Sequence, residues 1–212
     1  MTDLAAPVVN PQELLPVIGR ASRALWRDLH RCIAIGALWV LLSLPTTLLA
    51  IFGKQSLAVI CLLLPLAGLS GLNAFLVGIK RDEHPKLSSL LRVDVSFALS
   101  AGALFATCFW LFQQPLPLAA AGYLLFAFVL VLLPFCVAYG GIRGTRGLGN
   151  WRAAIILSAL APTWSLTLLA LSAIGFFLVF ATGGVLIIAV PAWIFLIAIE
   201  MTDVIIFRKD EQ

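Results

Sequence analysis

Two carboxylates near the end of the chain are the side chains best placed to do chemistry. Glu200 and Asp203 belong to a long apolar stretch and stand three positions apart, so in a helix they share one face. Ionisable groups within a membrane-crossing helix are costly, and they usually face protein or water. One interpretation is a proton- or cation-linked site. The alternative is a structural ion pair with an arginine of the 143–152 loop or of the N-terminal helix.

A third polar position lies in another apolar run. Asn73, together with Ser70, Gly68 and Gly71, forms a small polar stripe on a predicted helix. Small residues at spacings of three and four usually mark close packing between membrane helices. A substrate contact at Asn73 is the alternative interpretation, in which Asn73 and the two carboxylates form a polar site within the membrane.

A loop rich in glycine and arginine carries the other candidate residues, Arg143, Arg146 and Arg152. These arginines could contact anionic lipid headgroups or a partner protein. The loop lacks the Lys-Ser/Thr ending of a P-loop and follows no predicted strand. The chain also has no nucleophile-elbow serine and no cysteine or histidine spacing typical of a metal site. The sequence therefore indicates no catalytic residue, no metal and no cofactor.

The elements that must position these residues are membrane helices. The chain of 212 residues is 62% hydrophobic and 11% charged, whereas soluble domains are about 45–50% apolar and about 25% charged. The apolar runs are long and continuous, which favours helices over a β-barrel. The basic residues lie at the ends of these runs, so the positive charge does not indicate nucleic-acid binding. The six predicted spans are residues 32–52, 57–79, 95–112, 118–142, 153–180 and 185–207.

The positive residues predict the orientation of these spans. If the N-terminus is cytoplasmic, thirteen of the fourteen Lys and Arg residues lie on the cytoplasmic side and only Lys54 lies outside. Lys and Arg are retained in cytoplasmic loops, so both termini are expected in the cytoplasm. Asp94, at the predicted start of the third span, suits a helix N-terminus because a carboxylate there interacts favourably with the helix dipole.

The segment before the first span predicts an amphipathic helix, between Glu13 and Arg31. One arc of this helix carries the apolar side chains and another carries the basic ones, as in helices that lie in the headgroup region. The apolar arc comprises Leu14, Leu15, Ile18, Leu25, Trp26 and Leu29, and the basic arc comprises Arg20, Arg23, Arg27, His30 and Arg31.

Proline lies inside five of the predicted spans: Pro45, Pro65, Pro134, Pro162 and Pro191. Each removes a backbone donor and tends to kink its helix. The freed carbonyls can line a cavity, as in transporters with broken helices, or the kinks can be purely structural.

Several of these segments resemble the YesL family of bacterial membrane proteins. The segment Leu38–Thr47, with its Ser-Leu-Pro, is similar to the first-span motif of that family, and Lys80-Arg81-Asp82-Glu83 is similar to its first cytoplasmic loop. Asn150-Trp151-Arg152-Ala153-Ala154, followed by Pro162-Thr163, is similar to the start of its fifth span. The resemblance implies a bacterial plasma membrane and a role beside carbohydrate uptake, and it implies no catalytic residue.

The sequence thus predicts an all-α, polytopic protein with six transmembrane helices, both termini in the cytoplasm and an N-terminal interfacial helix. Its parts are a cytoplasmic segment 1–31, a membrane domain 32–207 and a cytoplasmic tail 208–212. The expected function is that of a non-enzymatic accessory or regulatory component associated with carbohydrate transport. The expected partners are the bilayer and a transporter subunit or a second copy of the chain. The alternative is a small stand-alone transporter or channel that uses a cavity near Glu200 and Asp203.

Overall fold

A computed structural model describes residues 13–81, 85, 87–182 and 184–210, and over these ranges the chain is helical without strands. Residues Met1–Gln12 of the predicted cytoplasmic segment and residues Asp82–His84, which follow Lys80-Arg81, lie outside the described residues. The helices are α1 (Leu14–Arg27), α2 (Leu29–Ile51), α3 (Gln55–Cys61), α4 (Leu63–Lys80), α5 (Val95–Phe112), α6 (Leu116–Arg143), α7 (Leu148–Leu160), α8 (Pro162–Ala181) and α9 (Val190–Asp210), with short 3-10 helices at Leu87–Leu91 and Val185–Ile188.

The predicted all-α class and the six spans are confirmed. Six stretches are long and apolar enough to cross a membrane, which makes the chain a multi-pass membrane protein in contact with lipid. They are Leu29–Ile51, Ser56–Lys80, Val95–Phe112, Leu116–Arg143, Pro162–Ala181 and Leu186–Phe207.

The predicted fifth span, 153–180, is wrong in its first part. Residues Leu148–Leu160 form a separate helix, α7, and the spanning helix α8 begins only at Pro162. Ala161 between them has φ −133° and ψ 65°, because a residue that precedes proline is pushed out of the helical region. One face of α7 serves packing, with Trp151, Ala154 and Leu157 buried.

Three of the five prolines lie at helix starts. Pro162 is the first residue of α8, Pro191 is the second residue of α9, and Pro65 is the third residue of α4. A missing N–H costs little in a first turn, since that donor has no partner within the helix. The break at Leu62 between α3 and α4 fits Pro65, which cannot donate to the carbonyl of Cys61. Pro45 and Pro134 lie inside α2 and α6.

The spans form an inner and an outer layer. Between 39% and 56% of the residues are buried in the spans that contain α4, α6 and α9, against 17% to 28% in those that contain α2, α5 and α8. The three inner helices pack on one another. Each hairpin of consecutive spans therefore supplies one outer and one inner helix.

These contacts repeat in a cyclic order. Each outer helix packs on the inner helix of its own hairpin and on the inner helix of the preceding hairpin, where the third hairpin counts as preceding the first. The pairs are α2 with α4 and α9, α5 with α6 and α4, and α8 with α9 and α6. A short helix precedes each hairpin and packs on the previous inner helix: α1 on α9, the 3-10 helix Leu87–Leu91 on α4, and α7 on α6. The bundle is thus a ring of three similarly packed units.

We call the end of the bundle that carries α1, residues 80–81, 87–94 and residues 143–152 the basic end. The side chains near this end fill the space between the inner helices, with Leu76, Phe135 and Ile199 fully buried. The three inner helices therefore form a packed core there.

Candidate functional site

The two carboxylates of the last span lie in a charged cluster near the basic end. Glu200 is buried, with 7% of its surface exposed, and its Oε2 accepts a hydrogen bond from Nε of Arg20 at 3.2 Å. The Lys80 ammonium lies 3.7 Å from the same oxygen and also donates to Oδ2 of Asp203. We call these four residues the charged cluster. They come from α1, α4 and α9, so the cluster joins the first and last helices to an inner span.

The sequence did not indicate Lys80 as the central partner. Lys80 closes α4, and it was expected to serve only as a positive flank that sets orientation. Its side chain is 15% exposed, against 44% for Arg20. The ammonium is therefore largely withdrawn from water, and its charge depends on the two carboxylates for compensation. Basic residues at the ends of neighbouring spans are the signal that could have suggested such a pairing.

The helix α1 lies against α9 through small side chains. Val17, Ala21 and Ala24 are buried, at the i, i+4 and i+7 spacing of one helix face. The indole Nε1 of Trp193 on α9 donates to the Ser22 hydroxyl at 3.0 Å. The face that docks α1 is therefore adjacent to the apolar arc expected from the sequence.

That apolar arc divides into two parts, which corrects the single face expected from the sequence. Leu14, Ile18 and Leu25 pack against the core, whereas Leu15 and Trp26 are exposed. In a membrane protein, exposed apolar side chains beside a basic face suit a helix in the headgroup region.

The joint between α1 and α2 is a second correction, because the predicted helix Glu13–Arg31 is broken at Asp28. The Asp28 carboxylate accepts from Nε of Arg27 at 3.2 Å and from a guanidinium nitrogen of Arg31 at 3.1 Å. A second nitrogen of Arg27 donates to the carbonyl of Ile79 at 2.9 Å, which satisfies an acceptor in the last turn of α4. Charged side chains thus hold this joint against the end of α4.

Asp94 joins three parts of the chain at the basic end. Its Oδ1 accepts from the backbone N–H of Phe97 at 3.0 Å, which caps α5 as expected, and from the Ser96 hydroxyl at 2.8 Å. Its Oδ2 accepts from the backbone N–H of Gly147 at 2.8 Å. Gly147 has φ +66°, a conformation that glycine adopts readily. One carboxylate therefore fixes both the start of α5 and the loop before α7.

The ionisation of Asp94 reflects these contacts. Burial by itself would raise the pKa of this carboxyl, but the hydrogen bonds from Phe97, Gly147 and Ser96, together with the nearby charge of Arg146, outweigh that effect. The pKa of Asp94 therefore lies below its ordinary value, and the group is a carboxylate at neutral pH.

Asn73 lies in the core, apart from the two carboxylates of α9. Its Nδ2 donates to the carbonyl of Val137 on α6 at 2.6 Å. A Cβ on Gly141 of α6 would come within 2.0 Å of the same nitrogen. Gly141 is therefore required for the approach of α4 to α6, which agrees with the packing interpretation of the small polar stripe.

The arginines of the 143–152 loop are exposed, and one of them lines a small cavity that is separate from the charged cluster. Arg143, Arg146 and Arg152 all face solvent. Arg146, Arg92 and Asn150 contribute to the lining of a cavity of about 70 Å³ beside Asp94. The Asn150 amide donates to the carbonyl of Thr145 at 3.3 Å, which folds this loop on itself. The structure thus separates the basic loop from Glu200 and Asp203.

A much larger cavity, of about 540 Å³, lies in the half of the bundle away from the basic end. All six spans contribute to its wall, which is almost wholly apolar and includes Pro65 and Pro191. Phe195 is the wall residue of α9 nearest to Glu200, which lies about 8 Å further along that helix. This cavity does not include Glu200 or Asp203, so it is not the cavity that the transporter alternative expects beside them.

These contacts define what the arrangement can do chemically. The charged cluster neutralises its own charges, and Asp94 has three donors. Among the described residues, no three His, Cys, Asp or Glu side chains come close enough together to hold a metal ion. No protein-family model matches this chain, and no curated protein or solved structure is similar to it.

Proposed function

We propose that this protein is a non-enzymatic accessory or regulatory subunit that acts beside a carbohydrate uptake system in the bacterial plasma membrane. The resemblance to the YesL family supports this setting, and the distribution of Lys and Arg supports cytoplasmic termini. In this proposal the basic end faces the cytoplasm, where α1 and the 143–152 loop are available to a partner.

The observation that carries the proposal is the pairing of both intramembrane carboxylates within the fold. Glu200 pairs with Arg20 and Lys80, and Asp203 pairs with Lys80. A coupling carboxylate must be free to bind and release a proton or a cation, whereas Glu200 and Asp203 are already engaged by cations of the fold. Glu200 then acts by holding α1 on the bundle through Arg20, and Asp203 acts by holding the end of α4 through Lys80.

Docked in this way, α1 offers a basic face. Arg23 and Arg27 are exposed on this helix, and the charged cluster fixes their position relative to the inner spans. The exposed guanidinium group of Arg23, on a helix held in place by its packing, suits a partner with acidic side chains at the membrane surface. Anionic headgroups would hold the same face close to the bilayer.

The proposal is tested in the native host with a photo-crosslinking amino acid. It is placed at Arg23, on the basic face, and as a control at Leu116, which is exposed at the opposite end. We expect crosslinks from position 23 to a subunit of a sugar transporter, and a slower uptake of that sugar when the gene is deleted. Crosslinks confined to lipid, with unchanged uptake of every sugar tested, would contradict the proposal.

A stand-alone transporter or channel is the second candidate, and the cavity of about 540 Å³ is the observation that favours it. Its wall bears almost no polar groups, whereas a sugar needs many hydrogen bonds when it leaves water. An apolar substrate suits this cavity better than a carbohydrate. Gradient-driven uptake by the purified protein alone would support this candidate over an accessory role.

A further inference from the structure

We propose that the large cavity is a binding site for one membrane lipid, which places an apolar chain in the cavity and hydrogen-bonds an oxygen atom to Thr46. This inference does not depend on the accessory role. It rests on two adjoining apolar cavities and on a buried hydroxyl at their junction.

The volumes and the apolar walls of two adjoining cavities suit a long apolar chain. The cavity of about 540 Å³ adjoins a second one of about 210 Å³, which lies between α2, α3, α5 and α6. Both volumes have nearly apolar walls, and Thr46, Leu62 and Phe105 border both. Small-molecule sites are typically about 300–1,000 Å³ and mostly apolar, with a few polar groups that orient the ligand. The two adjoining volumes together form an apolar site of this kind.

Thr46 is the polar group at the junction. Its Oγ1 is buried and has no hydrogen-bond partner in the described part of the chain. Ser43 and Thr47, its neighbours on α2, both donate to the carbonyl four residues earlier, at 2.9 and 3.0 Å. The Thr46 hydroxyl, in contrast, is left as a donor beside the two cavities, where leaving it unpaired is costly. An ester, carboxyl or hydroxyl oxygen of a lipid supplies the matching acceptor.

Trp39 supplies a second buried donor on the same wall. Its indole Nε1 has no partner among the described residues, and the side chain lines the larger cavity two helical turns from Thr46. A buried indole N–H usually finds an acceptor. Two unpaired donors, on α2 side chains that line an otherwise apolar space, favour a ligand that combines an apolar chain with oxygen atoms over a pure hydrocarbon.

The opening of the cavity is in a position that lipid can reach. Thr47 on α2 and Phe176 on α8 line the cavity and are also exposed on the outer layer of the bundle. In a membrane such surfaces face acyl chains. A lipid can therefore enter from the bilayer without crossing the packed core at the basic end.

The test measures lipid retained by the purified full-length protein, using native mass spectrometry after detergent exchange. A second readout is crosslinking by a diazirine-bearing fatty acid in vesicles of phosphatidylethanolamine and phosphatidylglycerol. We expect about one retained lipid per chain, and crosslinks concentrated on the cavity-lining parts of α8 and α9.

Two test variants and one control variant distinguish a specific lipid-binding site from general lipid contact. Thr46→Val keeps the shape and removes the hydroxyl, so retention should fall about fivefold. Thr167→Val is the matched control, because the Thr167 hydroxyl lies outside both cavities and donates to the carbonyl of Thr163 at 2.8 Å. It should leave retention unchanged. Ser172→Phe, which fills part of the larger cavity, should abolish the α8 and α9 crosslinks.

Equal retention by Thr46→Val and Thr167→Val would overturn the role of the hydroxyl in lipid binding. Crosslinks spread evenly over all outward faces would overturn the site itself. If Ser172→Phe fails to fold, the comparison of the two threonine variants still decides the inference.

Discussion

The guanidinium of Arg20 donates to the carboxylate of Glu200 at 3.2 Å, although 180 positions separate the two residues. This contact joins the first described helix to the last, and Lys80 extends it to an inner span. The charged cluster therefore closes the ring of three units at the basic end, where the first and third units meet. A role in holding α1 and the end of α4 on this helix explains why two costly carboxylates lie near the end of an apolar span.

The first prediction is that Lys80 and Arg20 contribute unequally to the free energy of unfolding. Lys80→Met should lower the free energy of unfolding by about 3 kcal/mol, because it removes the cation that pairs with Asp203 and leaves Glu200 with Arg20 alone. Arg20→Met should cost about 1 kcal/mol or less, since Arg20 is 44% exposed and its ion pair is screened by solvent. Denaturant titration in detergent micelles measures both. Equal losses of unfolding free energy in the two variants would show that Lys80 is not the central cation of the charged cluster.

The second prediction concerns α1 alone. Ala21→Leu places a larger side chain at a fully buried position of the docking face and should displace α1 from α9. Trypsin should then cleave at Arg23 or Arg27 several times faster than in the unchanged protein. Ala34→Leu is the control, because Ala34 is exposed on α2. Unchanged cleavage of the Ala21 variant would mean that the small face does not hold α1.

The third prediction follows from Asp94. Its folded-state pKa lies below the ordinary value of 3.8, so ionised Asp94 stabilises the fold fully above about pH 4. This contribution is lost as the pH falls through the lower, folded-state pKa. Asp94→Asn should therefore lower the melting temperature at pH 7, and the difference from the unchanged protein should shrink below pH 4. A difference that stays constant down to pH 3 would exclude this carboxylate as its source.

The fourth prediction tests the close approach of α4 and α6. Gly141→Ala should destabilise the protein by about 1–3 kcal/mol, because the new methyl group meets the Asn73 amide. Gly149→Ala is the matched control, since a Cβ there meets nothing within 4 Å. That variant should be neutral or slightly stabilising through helix propensity.

A double variant identifies the clash directly. Asn73→Ala removes the side chain that Gly141 accommodates, so Gly141→Ala should cost less in the Asn73→Ala background than alone. Additive losses, measured by the same denaturant titration, would place the strain elsewhere.

The number of spans could be predicted because uninterrupted apolar length is a local property of the chain. The fifth span was misplaced for a physical reason that was visible at Pro162. The residue before a proline avoids the helical region, and the apolar length of α7 was needed for packing on α6 rather than for crossing a membrane.

The site was only partly predictable. The position of Asp94 at a helix start followed from its local context, and its bond to Gly147 did not. The spacing of Glu200 and Asp203 predicted a shared face, and their partners depend on how distant helices pack. The buried face of α1 uses alanines, which a search for large apolar residues overlooks. The cavities between spans likewise arise from packing and leave no local pattern.

The most direct test of the central claim is uptake by proteoliposomes that contain only this protein, with and without a proton gradient, comparing unchanged protein with Glu200→Gln. A panel of sugars and a fluorescent fatty acid serve as substrates. If Glu200 is a structural partner of Arg20 and Lys80, the gradient should drive no uptake, and Glu200→Gln should lower only the melting temperature. Gradient-driven uptake that Glu200→Gln abolishes would contradict the account and make Glu200 a coupling residue.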